Sequence, residues 1–150
     1  MNKVRVRGII IEGKQIVLIY RVKKDRQYYV FPGGGVERGE DYEQTLRREC
    51  LEELGINVEV KNQVYKFIER DGSTQIFYNC IITKGILGTG RGTEFTSSNK
   101  SKGDYFPKKM DLESISKLPI FPVEIKNSLF GDMIKYKDIN KIPCRVIYEQ

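Results

Sequence analysis

The 150-residue chain has no histidine and no tryptophan, and only three cysteines and five prolines. Without histidine there can be no Ser–His or Cys–His nucleophile pair and no HExxH zinc site. Any general base must then be a carboxylate, a lysine or a tyrosine. Cys50, Cys80 and Cys144 are odd in number, widely separated and form no CxxC pair. That argues against a disulfide framework or a zinc site and suits a reducing cytosol. No apolar run approaches the roughly 20 residues that span a bilayer. The opening "MNKVRVRGIIIEGKQIVLIY" is interrupted by Glu12, Gly13 and Lys14 and lacks the layout of a secretory signal. With no internal repeat and no linker, residues 1–150 read as one domain, cytoplasmic and without membrane association.

What is present is charge, unevenly spread. The net charge is +6, yet the stretch 33–56, "GGGVERGEDYEQTLRRECLEELGI", holds seven acids and three bases. A basic body with one acidic patch fits a polyanionic ligand held partly through metal ions. Hydrophobic content of 39% and aromatic content of 11% suit a folded core.

Residues 3–12 and 15–22 read as two strands joined by a turn at Gly13-Lys14. A charged loop precedes a short aromatic strand at 28–31, which Pro32 and the glycines end. The clearest helix is 42–54. Asp41 stands at its N-cap with Gln44 three residues on, close to a capping box. Gly55 is placed to end it in a left-handed conformation. Leu46, Cys50 and Leu54 form an i, i+4, i+8 apolar stripe. Strands are expected at about 57–69 and 74–83, with Asp71-Gly72 as the hairpin turn between them. The Gly-, Ser- and Thr-rich segment 84–103 has no period, and loops of that length are usually functional or disordered. A strand at 104–109, a helical turn at 111–116, a helix at about 122–130 and a last strand at "CRVIYE" complete the chain. Strands and helices intermixed in this order predict an α/β fold, a mixed β-sheet sandwiched by helices.

On the first helix Glu49, Glu52 and Glu53 fall within one arc of about 100°. Three carboxylates on one face repel each other. Arg48, four residues before Glu52, can brace that side chain, and the remaining excess calls for a hard divalent cation such as Mg²⁺ or Mn²⁺. Gly33, Gly34 and Gly35 let the backbone approach closely and offer carbonyls to such an ion. Gly34, Glu40, Arg48, Glu49, Glu52, Glu53 and Gly55 stand in the spacing G-x5-E-x7-R-E-x-x-E-E-x-G. Chance alone matches these positions with probability on the order of 10⁻⁸ to 10⁻⁹ per start point.

In this spacing the chain resembles the Nudix hydrolases. The match covers residues 34–56, and the flanking "VFPGGGVERGE" is also typical of the family. Cys50 departs from the aliphatic residue of the pattern, but a small apolar thiol can fill a core slot. The resemblance implies a Nudix-type α/β/α sandwich over the whole chain. It also implies hydrolysis of a phosphoanhydride bond in a nucleoside diphosphate joined to another moiety, using Mg²⁺ or Mn²⁺. Carried onto this sequence, Glu49, Glu52 and Glu53 become metal ligands, with one of the three also a candidate general base and Glu52 and Glu53 the catalytic candidates among them. Arg48 would orient the glutamates, Glu40 would support the loop–helix geometry, and the Gly34 carbonyl is a further candidate ligand. Glu94, in "GRGTEF", is a second candidate ligand or base, because several Nudix enzymes draw one from a loop downstream of the box.

Family markers for other substrates are missing. Residues 57–106 contain no proline, against an ADP-ribose marker, and residues 72–74 are Gly, Ser and Thr, against a dinucleoside polyphosphate marker. The NADH marker needs the tryptophan that the chain lacks. These absences shift weight toward nucleoside or deoxynucleoside triphosphates, ordinary or oxidised. Tyr29, Phe31 and Phe77 are candidates to stack a nucleobase, and Arg21 could steer the triphosphate. Gly33 and Gly35 join them as substrate-binding candidates. The expected partner is a small nucleotide, and a homodimer is compatible with the sequence. The alternatives are a Nudix enzyme acting on nucleotide sugars, ADP-ribose or the 5′ end of RNA, and a non-catalytic nucleotide-sensing module. The absence of an RNA-recognition motif argues against stable nucleic-acid binding. The complete set of box glutamates argues against the sensing module.

Overall fold

The computed structural model describes residues 3–89 and 104–150. Glu94, and most of the glycine-rich segment around it, lie outside the described residues. Among the described residues nine strands form one mixed sheet with a helix on each face, the expected α/β/α sandwich. The chain runs β1 (Val4–Glu12), β2 (Gln15–Lys23), β3 (Arg26–Val30), β4 (Gly33–Gly35), α1 (Tyr42–Leu54), β5 (Ile56–Ile68), β6 (Thr74–Gly85) and β7 (Asp104–Asp111). It continues through a 3-10 segment at Leu112–Lys117, β8 (Ile120–Phe121), α2 (Val123–Tyr136) and β9 (Arg145–Tyr148). The path order is β8-β3-β2-β1-β6-β5-β9, with β4 on β1 and β7 on β2.

The feature that positions everything else is a split between β1 and β2. Their antiparallel ladder joins Ile10–Glu12 to Gln15–Val17 around the Gly13 turn. Farther from that turn the strands part. β3 then takes the edge β2 leaves open, and β4 takes the edge β1 leaves open. The peptide Phe31–Pro32 crosses the split between them. On its other side β1 runs parallel to β6.

Period-2 alternation sends opposite faces of each strand into two cores. On one face Val6, Ile10, Val17, Ile19, Ile76 and Cys80 pack against Leu46, Cys50 and Leu54 of α1. On the other, Ile9, Ile16, Leu18, Phe67 and Phe77 pack against Ile125 and Leu129 of α2. The stripe Leu46–Cys50–Leu54 is fully buried, and its two leucines each contribute about 1.5–3 kcal/mol. α1 begins as its sequence requires. Asp41 accepts from Gln44 N at 2.8 Å, and the Gln44 side chain accepts from Asp41 N at 2.8 Å. Gly55 ends the helix at φ 75°.

The glycine run, expected only to end the aromatic strand, itself forms a short strand, β4. α2 extends to Tyr136, past the expected end near residue 130. The aromatic strand lies at Arg26–Val30, and Phe31 follows it in the crossing segment.

Candidate active site

Gly33–Gly35 pair with Arg5–Arg7 of β1 in register. Gly8 N donates to Pro32 O at 2.8 Å and Val36 N to Val4 O at 3.3 Å. In an antiparallel ladder alternate residues turn their peptide groups to the partner strand. Pro32, Gly34 and Val36 therefore face β1, and Gly33 and Gly35 face α1. Two contacts bear this out. Gly33 N donates to Glu53 Oε1 at 2.8 Å, and Gly35 O accepts from Arg48 Nη2 at 3.3 Å. The Gly34 carbonyl, a candidate ligand by resemblance, is thus the one turned to β1, while those of Gly33 and Gly35 are on the carboxylate side.

Close approach explains the glycines. A Cβ on Gly33, at φ +142°, would stand 2.0 Å from Val6 O. One on Gly34 would stand 2.5 Å from Glu49 Oε1. No side chain fits either position without moving backbone or carboxylate.

Arg48 lies at the centre of the acidic face. Its Nε is 2.7 Å from Glu40 Oε2 and its Nη2 is 3.0 Å from Glu40 Oε1, a bidentate fork. Its Nη1 reaches Glu49 at 2.9 Å, Glu52 at 3.3 Å and Glu37 at 3.7 Å. Arg48 thus neutralises far more than the single bracing contact to Glu52 expected from spacing. Its hydrogen bonds, led by that to Glu40, raise its pKa and keep it a cation. The fork from Arg48, with a further bond from Thr45 Oγ1 at 2.8 Å, holds the Glu40 carboxyl down to about 2. Glu40 is the anchor of this network, with Thr45, fully buried, beneath it.

The three glutamates differ in setting. Glu53 is 6% exposed and bound to the glycine strand. Glu49 lies against Gly34 and Arg48. Glu52 leaves 46% of its side chain to solvent. Among the described residues no three acidic, thiol or imidazole side chains already converge on one point as a closed cage. The donor set nonetheless suits a hard divalent ion: carboxylate oxygens on one helix face, peptide groups of Gly33 and Gly35 opposite, and no soft ligand among them. A cationic nitrogen, Arg48 Nη1, already stands between Glu49 and Glu52 and shows that this gap attracts positive charge.

On the α2 side of the split lies a cavity of about 230 Å³, lined by Arg7, Phe31, Phe67, Glu69, Gln75 and Phe121, with further residues from α2 and the C-terminal segment. Arg7 joins it to the carboxylates. It is the register partner of Gly33, donates from Nε to Gln75 Oε1 at 3.2 Å and from Nη1 to Phe31 O at 3.4 Å, and feels the charge of Glu53. Phe31 is therefore placed between cavity and glycine strand. Phe77, by contrast, is fully buried behind it, edge-on at 5.3 Å, and offers no face to a ligand. Tyr29 packs on Tyr20 at 5.0 Å, and Arg21 lies over the Tyr105 ring at 4.1 Å; neither lines the cavity. Arg7, Glu69, Gln75 and Thr45 escaped the sequence reading. The one available signal was the alternation "VRVRG", which puts Arg7 on the opposite face from buried Val6.

The NUDIX domain profile matches residues 1–97. The uncharacterized Nudix hydrolase YvcI of Bacillus subtilis (strain 168) is 30% identical over 122 residues, covering 79% of this chain and 72% of that protein. Nucleoside triphosphatase NudI of Enterobacter sp. (strain 638) is 31% identical over 100 residues, covering 57% of this chain and 70% of that protein. Among solved structures, an ADP-ribose pyrophosphatase from Streptococcus suis 89-1591 superposes with a TM-score of 0.69 at 16% identity, over 98% of this chain and 100% of that one. A NUDIX hydrolase from Nitrosomonas europaea superposes with a TM-score of 0.72 at 18% identity, over 99% and 81%. These two likenesses concern the fold.

Proposed function

The chain belongs to the NUDIX family of hydrolases, and on that premise we propose that it is a divalent-metal-dependent pyrophosphohydrolase of nucleoside or deoxynucleoside triphosphates, ordinary or oxidised. The observation that carries the reading is the bond from Gly33 N to Glu53 Oε1. It ties the glutamate cluster to a strand whose peptides are bare enough for a diphosphate to lie against them. A relative named a nucleoside triphosphatase supports the substrate class.

Glu49, Glu52 and Glu53 would hold the metal, with the Gly33 and Gly35 carbonyls nearest at hand. A divalent ion bound there would cancel phosphate charge and acidify a bound water. The protein's own part is positional and acid–base. Glu53 is held by a peptide N–H, so its orientation is set before substrate arrives. Arg48, fixed on Glu40, restrains Glu49 and Glu52 and keeps a cation beside the developing negative charge. With no histidine in the chain, a carboxylate would take the proton of the attacking water, Glu52 or Glu53 on the helix face or Glu94 downstream. The absence of side chains at Gly33 and Gly34 lets the phosphates reach the backbone.

The test is a panel of nucleoside and deoxynucleoside triphosphates, nucleotide sugars, ADP-ribose and capped RNA, assayed with Mg²⁺ and again with EDTA, with products identified. The expected result is nucleoside monophosphate plus pyrophosphate, abolished by EDTA. Turnover confined to ADP-ribose, sugars or RNA, or turnover indifferent to EDTA, would overturn the reading.

A further inference from the structure

Glu69 directly follows β5 and lines the cavity beside Arg7, and its Oε2 is buried with no hydrogen-bond partner among the described residues. A buried carboxylate oxygen without a donor is costly, so such an atom calls for an explanation. The neighbouring acids are accounted for. Glu149 Oε1 accepts from Arg70 N at 2.9 Å, and Glu124 Oε2 accepts from Gln150 N at 2.9 Å. Among the described residues that line it, Arg7 alone is a cation, alongside Glu69, Glu124 and Glu149. A phosphate would be repelled here; a neutral, donor-bearing ligand would not. At about 230 Å³ the space is below the ~300–1,000 Å³ of pockets that enclose drug-sized ligands, so it takes a single ring system. The walls suit a ring. Phe31 and Phe67 are apolar faces, and Phe121, 40% exposed, stands at the mouth.

Resting on the hydrolase reading above, we propose that this cavity is the nucleobase pocket and that Glu69 selects a 2-amino-6-oxopurine, the guanine edge. The carboxylate accepts from ring N1–H and the exocyclic N2–H together, two adjacent donors that match its two oxygens. Adenine would set its N1 lone pair against the same carboxylate, and a uracil imide would set a carbonyl there. Gln75 gives its Oε1 to Arg7, which leaves its NH₂ end as a donor for the purine O6. From this pocket the sugar and phosphates lead past Phe31–Pro32–Gly33 to the carboxylates of α1. One wall of the pocket, from Phe121 to Glu149, lies beyond the residues that the family profile matches.

The experiment is calorimetric titration of the full chain with GDP, IDP and ADP in EDTA, where no hydrolysis occurs. IDP differs from GDP by the missing 2-amino group alone. GDP is expected to bind about tenfold or more tightly than IDP or ADP, because a site built around a ligand N–H rejects the analogue without it. Glu69→Ala is expected to bring GDP and IDP to within about twofold. Equal binding of GDP and IDP by the native protein, which needs no variant, would overturn the proposal, as would an unchanged ratio in Glu69→Ala or no measurable GDP binding. A GDP preference in a protein that hydrolyses no triphosphate would sink the hydrolase reading and leave the pocket standing. Mg²⁺-dependent turnover with equal GTP and ITP efficiency would do the reverse.

Discussion

Each helix of the sandwich buries one carboxylate, and the two have different company. On α2, Asp132 is 8% exposed, and its Oδ2 accepts from Tyr65 Oη and from Arg145 Nη1, both at 2.6 Å. Burial, then the bond to Asp132, pushes the Tyr65 phenol far up, so it stays a donor. On α1, Glu53 is 6% exposed, bound to a peptide N–H, with Glu49 and Glu52 as helix neighbours. Burial alone therefore says nothing about chemistry. Asp132 sits with a cation and a hydroxyl and staples β5, α2 and β9. Glu53 shares its helix face with Glu49 and Glu52, holds a peptide N–H of the glycine strand and lies near enough to Arg7 to act on it electrostatically, an acid-rich setting that suits a divalent cation.

The sharpest way to break this contrast is to neutralise each acid in turn. Glu53→Gln should leave folding intact and lower kcat by at least about a hundredfold; near-normal turnover would remove Glu53 from the machinery. Asp132→Ala should do the opposite, leaving kcat/KM close to native while costing about 1–3 kcal/mol in denaturant unfolding, since the buried Tyr65 hydroxyl loses its acceptor. A larger loss of 3–5 kcal/mol is typical of fully buried pairs, but Arg145 keeps 43% of its side chain in water. Gly34→Ala should displace the Glu49 carboxylate, which its Cβ would meet at 2.5 Å. Catalytic efficiency should fall about tenfold with little change in Tm, and an unaffected enzyme would show that Glu49 can yield without consequence.

The smallest effect concerns pH. Glu40 is held at about 2 against an ordinary 4.5. Its contribution to stability is therefore full above about pH 4.5 and fades as the pH falls toward 2. In thermal melts from pH 6 to pH 2, the advantage of the native protein over Glu40→Gln should shrink through that window. A constant gap would mean that the Arg48 fork does not depend on the charge of Glu40.

The parts legible in sequence were local ones. Asp41, Gln44 and Gly55 announce α1 because caps act within four residues, and the glutamate spacing announces its acidic face. The glycine strand was not legible, because alternation cannot be read where side chains are missing. The end of α2 was blurred by Gly131 and by Ile134, which is 58% exposed and spoils the apolar stripe. Phe77 read as a stacking candidate because its strand lies near the box; pairing parity instead turns it behind Phe31. Arg7, Glu69 and Gln75 meet only because β1, β5 and β6 lie side by side in the sheet, a neighbourhood no short window contains.

The split between β1 and β2 also sets an order of assembly. The carboxylate ledge needs β1, β4 and α1, all within residues 4–54, and short loops close with little entropy loss. The cavity must bring Arg7 to Glu149, nearly the whole contour of the chain, and distant pairings form late. On the readings proposed above, a chain emerging from the ribosome would complete the ledge that holds phosphate before the cavity that selects the base has closed.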